Sequence, residues 1–351
     1  VPGQRLDFIV IGAPDRKGVL ERYTSLVGRP ALPPAWSFGL WLSSSFTTKY
    51  DEETVMHFVD GMKERRIPLS VFHFDCYWMR ENEWCNFEWD QQMFPDIKRQ
   101  LRRMKESGLK ICVWINPYIG QKSPLFKEAM AAGYLLKKPN GDIWQWDEWQ
   151  SGLGLVDFSN PEAREWYAEK IRDLIRMGAG AIKTDFGEGI AEEANYHSID
   201  GKQFHNLYSL VYNNVVFNAT HSVSGENIVW ARSGTAGSQR YPLHWGGDSQ
   251  CSFDALAGTL RGALSIGMSG IPFFSHDIGG FIGTPNDELY VRWAQLGLFS
   301  SHSRCHGCGN DNHREPWMFS EEACDIFRYY DKLRYSLMPY IYAEAETCTR
   351  T

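Results

Sequence analysis

The chain has 351 residues, 43% of them hydrophobic, and a formal net charge of −7. That length can bury a large core and suits one α/β barrel with insertions better than a single sandwich. The acidic balance excludes recognition of a nucleic-acid backbone, which needs a positive surface, and no 18-residue apolar run offers a membrane span.

In chain order, residues 1–30 read as a lead-in, with a strand-like run Leu6–Ile11 and a helix around 17–27. Residues 31–351 read as one domain, in which short apolar runs alternate with helical segments. The runs are Trp36–Ser44, Leu69–Tyr77, Lys110–Ile119, Gly180–Phe186, Asn227–Ser233, Leu243–Asp248, Ile271–His276 and Leu298–Ser303. Near-continuous apolarity marks strands covered on both faces. Eight of them interleaved with helices predict a (β/α)8 TIM barrel. Asp51 caps one helix, with Val55, Phe58, Val59 and Met62 on one face, and Asn160-Pro161 opens another. Further helices are expected over 96–107, 125–132, 203–217, 253–267, 286–297 and 321–345. The stretch of about 120–160 carries Trp144, Trp146 and Trp149, and reads as an insertion after strand three, over the barrel mouth.

The eight cysteines are scattered without framework spacing, which suits free thiols in a reducing compartment and predicts a cytoplasmic location. The chemistry is expected where the runs end. Strand two ends in Asp75-Cys76-Tyr77, strand three in Trp114-Ile115-Asn116 and strand four in Lys183-Thr184-Asp185-Phe186-Gly187-Glu188. The later ends carry Arg232, Trp245 with Asp248, His276 with Asp277, and Arg304 with His306. In a barrel these ends converge on one mouth. A lone Asp after a strand is as often a helix cap, but seven strands ending this way together point to a site. Two carboxylates across one cleft are what glycosidic cleavage requires, one attacking the anomeric carbon and the other protonating the leaving oxygen. Lys183 and Arg232 would keep one carboxylate ionised, and a drier neighbourhood would raise the pKa of the other.

Lys183–Glu188, Trp245-Gly246-Gly247-Asp248 and Ser275–Phe281 resemble the nucleophile, acid/base and strand-seven motifs of glycoside hydrolase family 31. The likeness runs from Pro30 to Tyr340. It implies a retaining α-glycosidase without cofactor or metal, with Asp185 as nucleophile and Asp248 as general acid/base. Asp75, Trp114, Lys183, Arg232, Trp245 and His276 match sugar contacts, and Glu188 of the nucleophile motif is a further candidate for substrate binding. Cys76 and Tyr77, with Phe46, resemble the α-xylosidase subgroup, where an aromatic replaces the Asp that α-glucosidases offer to a 6-hydroxyl. The same resemblance implies an oligosaccharide or α-xyloside substrate, flanking β-sandwich domains outside this chain and a possible homo-oligomer. An α-glucosidase of the same family is the alternative.

Other classes stay open at this level. Cys305-His306-Gly307-Cys308 followed by His313 invites zinc, although no second pair sits at finger spacing. Lys183 is a candidate Schiff-base lysine of an aldolase, which Asp185 two residues on would oppose by holding it charged. A sugar-binding barrel without turnover is the third.

Overall fold

The computed structural model describes residues 7–46, 51–308 and 314–350. Helix α1, Arg16–Val27, leads into strand β1, Leu40–Ser43. Then follow α2 (Glu52–Glu64), β2 (Val71–Phe74), α3 (Ile97–Glu106) and β3 (Lys110–Ile115). The inserted layer is β4 (Tyr118–Gly120), α4 (Pro124–Ala132), β5 (Gln145–Trp146) and β6 (Leu153–Leu155). The barrel resumes with α5 (Pro161–Met177), β7 (Ala181–Thr184), α6 (Gly201–Ser224) and β8 (Trp230–Ala231). It finishes with β9 (His244–Trp245), α7 (Phe253–Met268), β10 (Phe274–Ser275), α8 (Asp287–Leu298), β11 (Ser303–Cys305) and α9 (Glu321–Arg350).

Eight strands run parallel in the order β10-β9-β8-β7-β3-β2-β1-β11. A parallel bridge between Asp277 and Arg304 links the two end strands and brings the sheet round into a barrel. The pleat sorts each strand into two cores. Leu40, Leu42, Phe72, Phe74, Ile111, Val113 and Ile182 belong to the cluster that packs against the helices. Trp41, Val71, Cys112, Ala181, Trp230 and Trp245 fill the barrel, closed at its foot by Met338, Ile341, Tyr342 and Ala345 of α9. Arg334, wholly buried on the same helix, donates to the carbonyls of Phe38, Leu298, Ser300 and Ser301. It thereby ties the lead-in to β1 to the lead-in to β11.

The helix starts follow their predicted caps. Asp51 accepts from Thr54 N at 2.8 Å, and Asn160 from Glu162 N at 2.9 Å with Pro161 in the first turn. Two expectations are corrected. No strand forms within residues 7–13, where Phe8, Ile9 and Val10 are 78%, 73% and 83% exposed, while Leu6 lies outside the described residues. The eighth run was placed too early: Leu298 ends α8, and β11 begins at Ser303. Burial on all sides gives a helix end and an inner strand the same apolar signature.

Candidate active site

At the carboxyl end of the barrel, strand alternation sends every second side chain inward. On β7 these are Lys183 and, just past the strand, Asp185. Lys183 Nζ lies 3.0 Å from Asp75 Oδ2 and 3.8 Å from Asp185 Oδ2, and 5.0 Å from the centre of the Trp245 ring. Trp114 Nε1 donates to Asp185 Oδ2 at 2.7 Å, and Phe186 N donates to Oδ1 at 2.9 Å. Phe186 holds a left-handed φ of 57°, a conformation that costs a non-glycine residue about 1–2 kcal/mol. The turn thus aims Asp185 into the mouth at a small backbone cost.

Arg232, just beyond β8, joins three carboxylates. Its Nη1 is 3.2 Å from Asp185 Oδ1 and 3.2 Å from Asp248 Oδ2, and its Nε is 2.8 Å from Glu188 Oε1. One nitrogen touching both aspartates holds those two oxygens no more than twice 3.2 Å apart. Asp185 is only 9% exposed, whereas the side chain of Asp248 is 36% exposed. Burial alone would push Asp185 up, but Lys183, Arg232 and the two donors outweigh it and hold its pKa below the ordinary carboxylate value. For Asp248 burial, aided by the charge on Asp185, prevails over Arg232 and raises the pKa. Two carboxyls of one kind are pushed in opposite directions.

Residues 30–344 match the glycosyl hydrolases family 31 TIM-barrel domain. The chain belongs to this family. It is 49% identical to "Alpha-xylosidase" of Emericella nidulans, over 98% of this chain and 44% of that protein. It is 52% identical to "Alpha-xylosidase XylQ" of Lactiplantibacillus pentosus, over 98% of this chain and 46% of that protein. The fold superposes with a TM-score of 0.90 on a Flavobacterium johnsoniae family 31 dextranase complexed with glucose, at 29% identity, covering 97% of this chain and 44% of that one. The chain thus spans a little under half the length of these relatives.

The family 31 barrel brings most of the candidate residues together. Asp75 Oδ2 faces Lys183, while its Oδ1 accepts from Cys76 N at 3.0 Å and caps the short turn Cys76–Trp78. Cap and site are one side chain. Tyr77, half-buried, sets its ring 6.5 Å from that of Phe46 and 5.5 Å from that of Trp84, and burial pushes its hydroxyl pKa up to about 12. Trp149 of the inserted layer lies 5.3–6.4 Å from the rings of Phe46, Trp84, Trp114 and Phe186, completing an aromatic wall. A cavity of about 630 Å³ opens beside Asp248, lined there by Glu188, Arg232, Trp245 and Phe274.

His276 does not join them. Its Nδ1 accepts from Trp293 Nε1 at 3.0 Å and its Nε2 lies 3.0 Å from Ser300 Oγ, so the ring faces α8, and burial pushes its pKa down to about 4. His306 stands at the mouth instead. Its Nδ1 is 2.7 Å from Ser43 Oγ, its Nε2 is 3.7 Å from Asp75 Oδ2, and its ring stacks 5.1 Å from Phe281.

His73, Asp75 and His306 are close enough to offer three ligands to a metal ion. However, Lys183 already supplies positive charge 3.0 Å from the one Asp75 oxygen both imidazoles approach, with Arg304 a further cation nearby. A divalent ion would have to displace a buried ammonium from its partner, so the donor set fits a metal poorly. In the Cys305–Cys308 segment Cys305 turns outward, its Sγ 4.0 Å from the Tyr290 hydroxyl, while His306 turns inward, and His313 lies outside the described residues. Those two side chains cannot share one ion. The eight cysteines carry free thiols, and no described helix is long and apolar enough to cross a membrane.

Proposed function

We propose that this barrel is the catalytic domain of a retaining α-glycosidase that removes terminal non-reducing α-xylosyl residues. The observation that carries the reading is the bridge from one Arg232 nitrogen to two carboxylates with opposed pKa shifts. Retaining enzymes need their carboxyls about 5–5.5 Å apart, and inverting ones about 6.5–9.5 Å. The shared nitrogen holds the facing oxygens no more than twice 3.2 Å apart, short of the inverting range.

In the first step an Asp185 oxygen attacks the anomeric carbon. The bond to the leaving oxygen breaks, and Asp248 gives that oxygen its proton. In the second step Asp248, now a carboxylate, takes a proton from water. The water oxygen attacks the same carbon, Asp185 departs, and the product keeps the α-configuration. Lys183 and Trp114 hold Asp185 ionised and oriented, and Arg232 stabilises whichever carboxylate is charged. Lys183 is therefore a counter-ion here, and its ammonium, 3.0 Å from Asp75, is poorly placed to act as a Schiff-base nucleophile.

The preference for xylose rests on Cys76 and Tyr77, together with the 49% and 52% identity to proteins named α-xylosidase. Tyr77 and Phe46 crowd one side of the wall with rings where a 6-hydroxymethyl group would seek space and a hydrogen-bond partner. Since the relatives are about twice as long, flanking domains are part of the proposal. The test is a panel of p-nitrophenyl α-xyloside, α-glucoside and α-galactoside, with the first-formed sugar read by proton NMR. The expected result is α-xylose released ahead of the other sugars. First release of β-xylose, or equal rates on xyloside and glucoside, would refute the assignment.

A further inference from the structure

Arg232 divides its guanidinium differently from Arg304, the other arginine of the mouth. Arg304 sends two nitrogens, Nε and Nη2, to a single oxygen of Asp277. Arg232 turns Nη1 to both Asp185 and Asp248, and its Nε to Glu188 at 2.8 Å. A guanidinium is planar, with its N–H groups in a fixed fork, so the direction of one edge sets the direction of the others. Its face is held too, because Arg232 Cζ lies 5.1 Å from the centre of the Phe186 ring. With its edge on Glu188 and its face on Phe186, the fork keeps a pose in which Nη1 reaches both aspartates.

The two ends of this tether are fastened to each other through the backbone. Arg232 N donates to Thr184 O at 3.1 Å, and Ser233 Oγ donates to Phe186 O at 2.8 Å. Asn213 of α6, buried beneath them, accepts from Thr184 Oγ1 at 2.6 Å and donates to Ser233 O at 3.0 Å. Gly187, at φ 97°, lets the strand ends come this close, since a Cβ there would sit 2.5 Å from Ser233 Oγ. Glu188 therefore starts from a fixed point, although its side chain is 47% exposed.

The charges around the pair give the tether a second consequence. Asp248 has Arg232, Lys183 and Arg304 near it as cations and Asp185 as an anion, and Asp277 lies in the same field. Glu188 faces Arg232, Asp185 and Asp248, with the Tyr118 hydroxyl close by and His205 on the cavity wall. One guanidinium thus serves three carboxylates, and a negative Glu188 offsets part of the charge that Arg232 presents to Asp248. We propose that Glu188 is a positioning residue, which holds Arg232 so that Nη1 bridges Asp185 and Asp248 and which leaves Asp248 able to carry a proton. The inference rests on the glycosidase reading of the same site, and it gives Glu188 a part other than sugar contact.

Variants of the full-length protein test it. Glu188→Ala should lower kcat on α-xylosides by about 10- to 100-fold with little change in KM, as a misplaced supporting group does. Glu188→Gln keeps an acceptor for Nε and should recover most of that loss. It lacks the charge, so the acid and alkaline limbs of its kcat/KM profile should both move to lower pH. In the Arg232→Gln background, Glu188→Ala should cost less than about twofold more, because the residue acts through Arg232. A raised KM with kcat kept, limbs that stay in place, or an equal loss with and without Arg232 overturns the proposal. A crystal structure of Glu188→Ala separates it from the glycosidase reading: Nη1 should move out of reach of at least one aspartate. If the wild type cleaves no α-glycoside, that reading fails and the crystal structure still decides the tether. A guanidinium that stays between Asp185 and Asp248 without Glu188 refutes it.

Discussion

Asp185 and Asp248 are one residue type placed on one rim, and their surroundings push their pKa values in opposite directions. Asp185 sits at the end of β7 with an ammonium, an indole N–H and a backbone N–H around it. Asp248, beyond a Gly-Gly pair after β9, has one guanidinium nitrogen and open water on its other side. Position on the rim brings the pair together, and the count of donors around each decides which stays charged. The difference teaches that role is written in neighbours rather than in the carboxyl itself.

The hardest way to break the pair is to remove the well-supported member. Asp185→Asn should lower kcat on α-xylosides by about 10⁴-fold or more, as loss of a nucleophile does. Near-UV circular dichroism should remain that of the folded protein. An activity loss below about tenfold would relocate the nucleophile.

Removing the exposed member should be selective. Asp248→Ala should cost about 10²–10⁴-fold on substrates with poor leaving groups and far less on activated aryl glycosides. Added azide should restore turnover and give an α-glycosyl azide. Equal damage to all substrates without azide rescue would pass the role to Asp277, whose Oδ1 now accepts from two nitrogens of Arg304 at 2.8 and 2.6 Å.

The third change leaves both carboxylates intact and alters what they are offered. Cys76→Ile with Tyr77→Asp should shift kcat/KM from α-xylosides towards α-glucosides by roughly 10–200-fold. A preference that stays where it was would remove Tyr77 from the specificity argument.

The smallest effect is on pH. The kcat/KM profile should be a bell with its acid limb below the ordinary carboxylate value, from Asp185, and its alkaline limb above it, from Asp248. Arg232 lowers both pKa values, so Arg232→Gln should move both limbs to higher pH. Limbs that converge would show that the guanidinium acts on one carboxylate alone. The sign for stability follows from Asp185: its folded pKa is depressed, so its contribution is present above the unfolded value and lost as pH falls through the folded one.

The barrel and the Lys183–Asp185–Arg232 centre were legible because inward residues at strand ends must be polar at the mouth, and the motifs are unbroken. His276 was misread through a rule available in the sequence. His276 and Asp277 are adjacent just past β10, in backbone that still bridges to Arg304, so only one can face inward, and the pairing of Asp277 with Arg304 decides which. The same alternation through Ser303-Arg304-Cys305-His306 turns Arg304 and His306 inward, which explains why His306 meets Asp75. Trp149 was visible as a tryptophan in an insertion, but its reach across the mouth to Trp114 depends on how β4–β6 fold back, and no local pattern carries that. The exposure of Phe253, Leu260, Leu264 and Met268 on α7 could not be read either, because an apolar helical stripe looks the same whether it is covered or not.

The ring closure has a consequence for how the site comes into being. Residue 40 lies beside residue 303, and Asp75 near His306, so the first strand, paired early with β2, cannot find its second partner until the last has been made. At roughly 5–20 residues per second a ribosome needs about a quarter to most of a minute to bridge that interval. Through it, β1 waits with an open edge, the kind of surface that pairs with the wrong strand. A growing chain of this protein should therefore be an early client for chaperones, and the charged cluster at its mouth one of the last things it assembles.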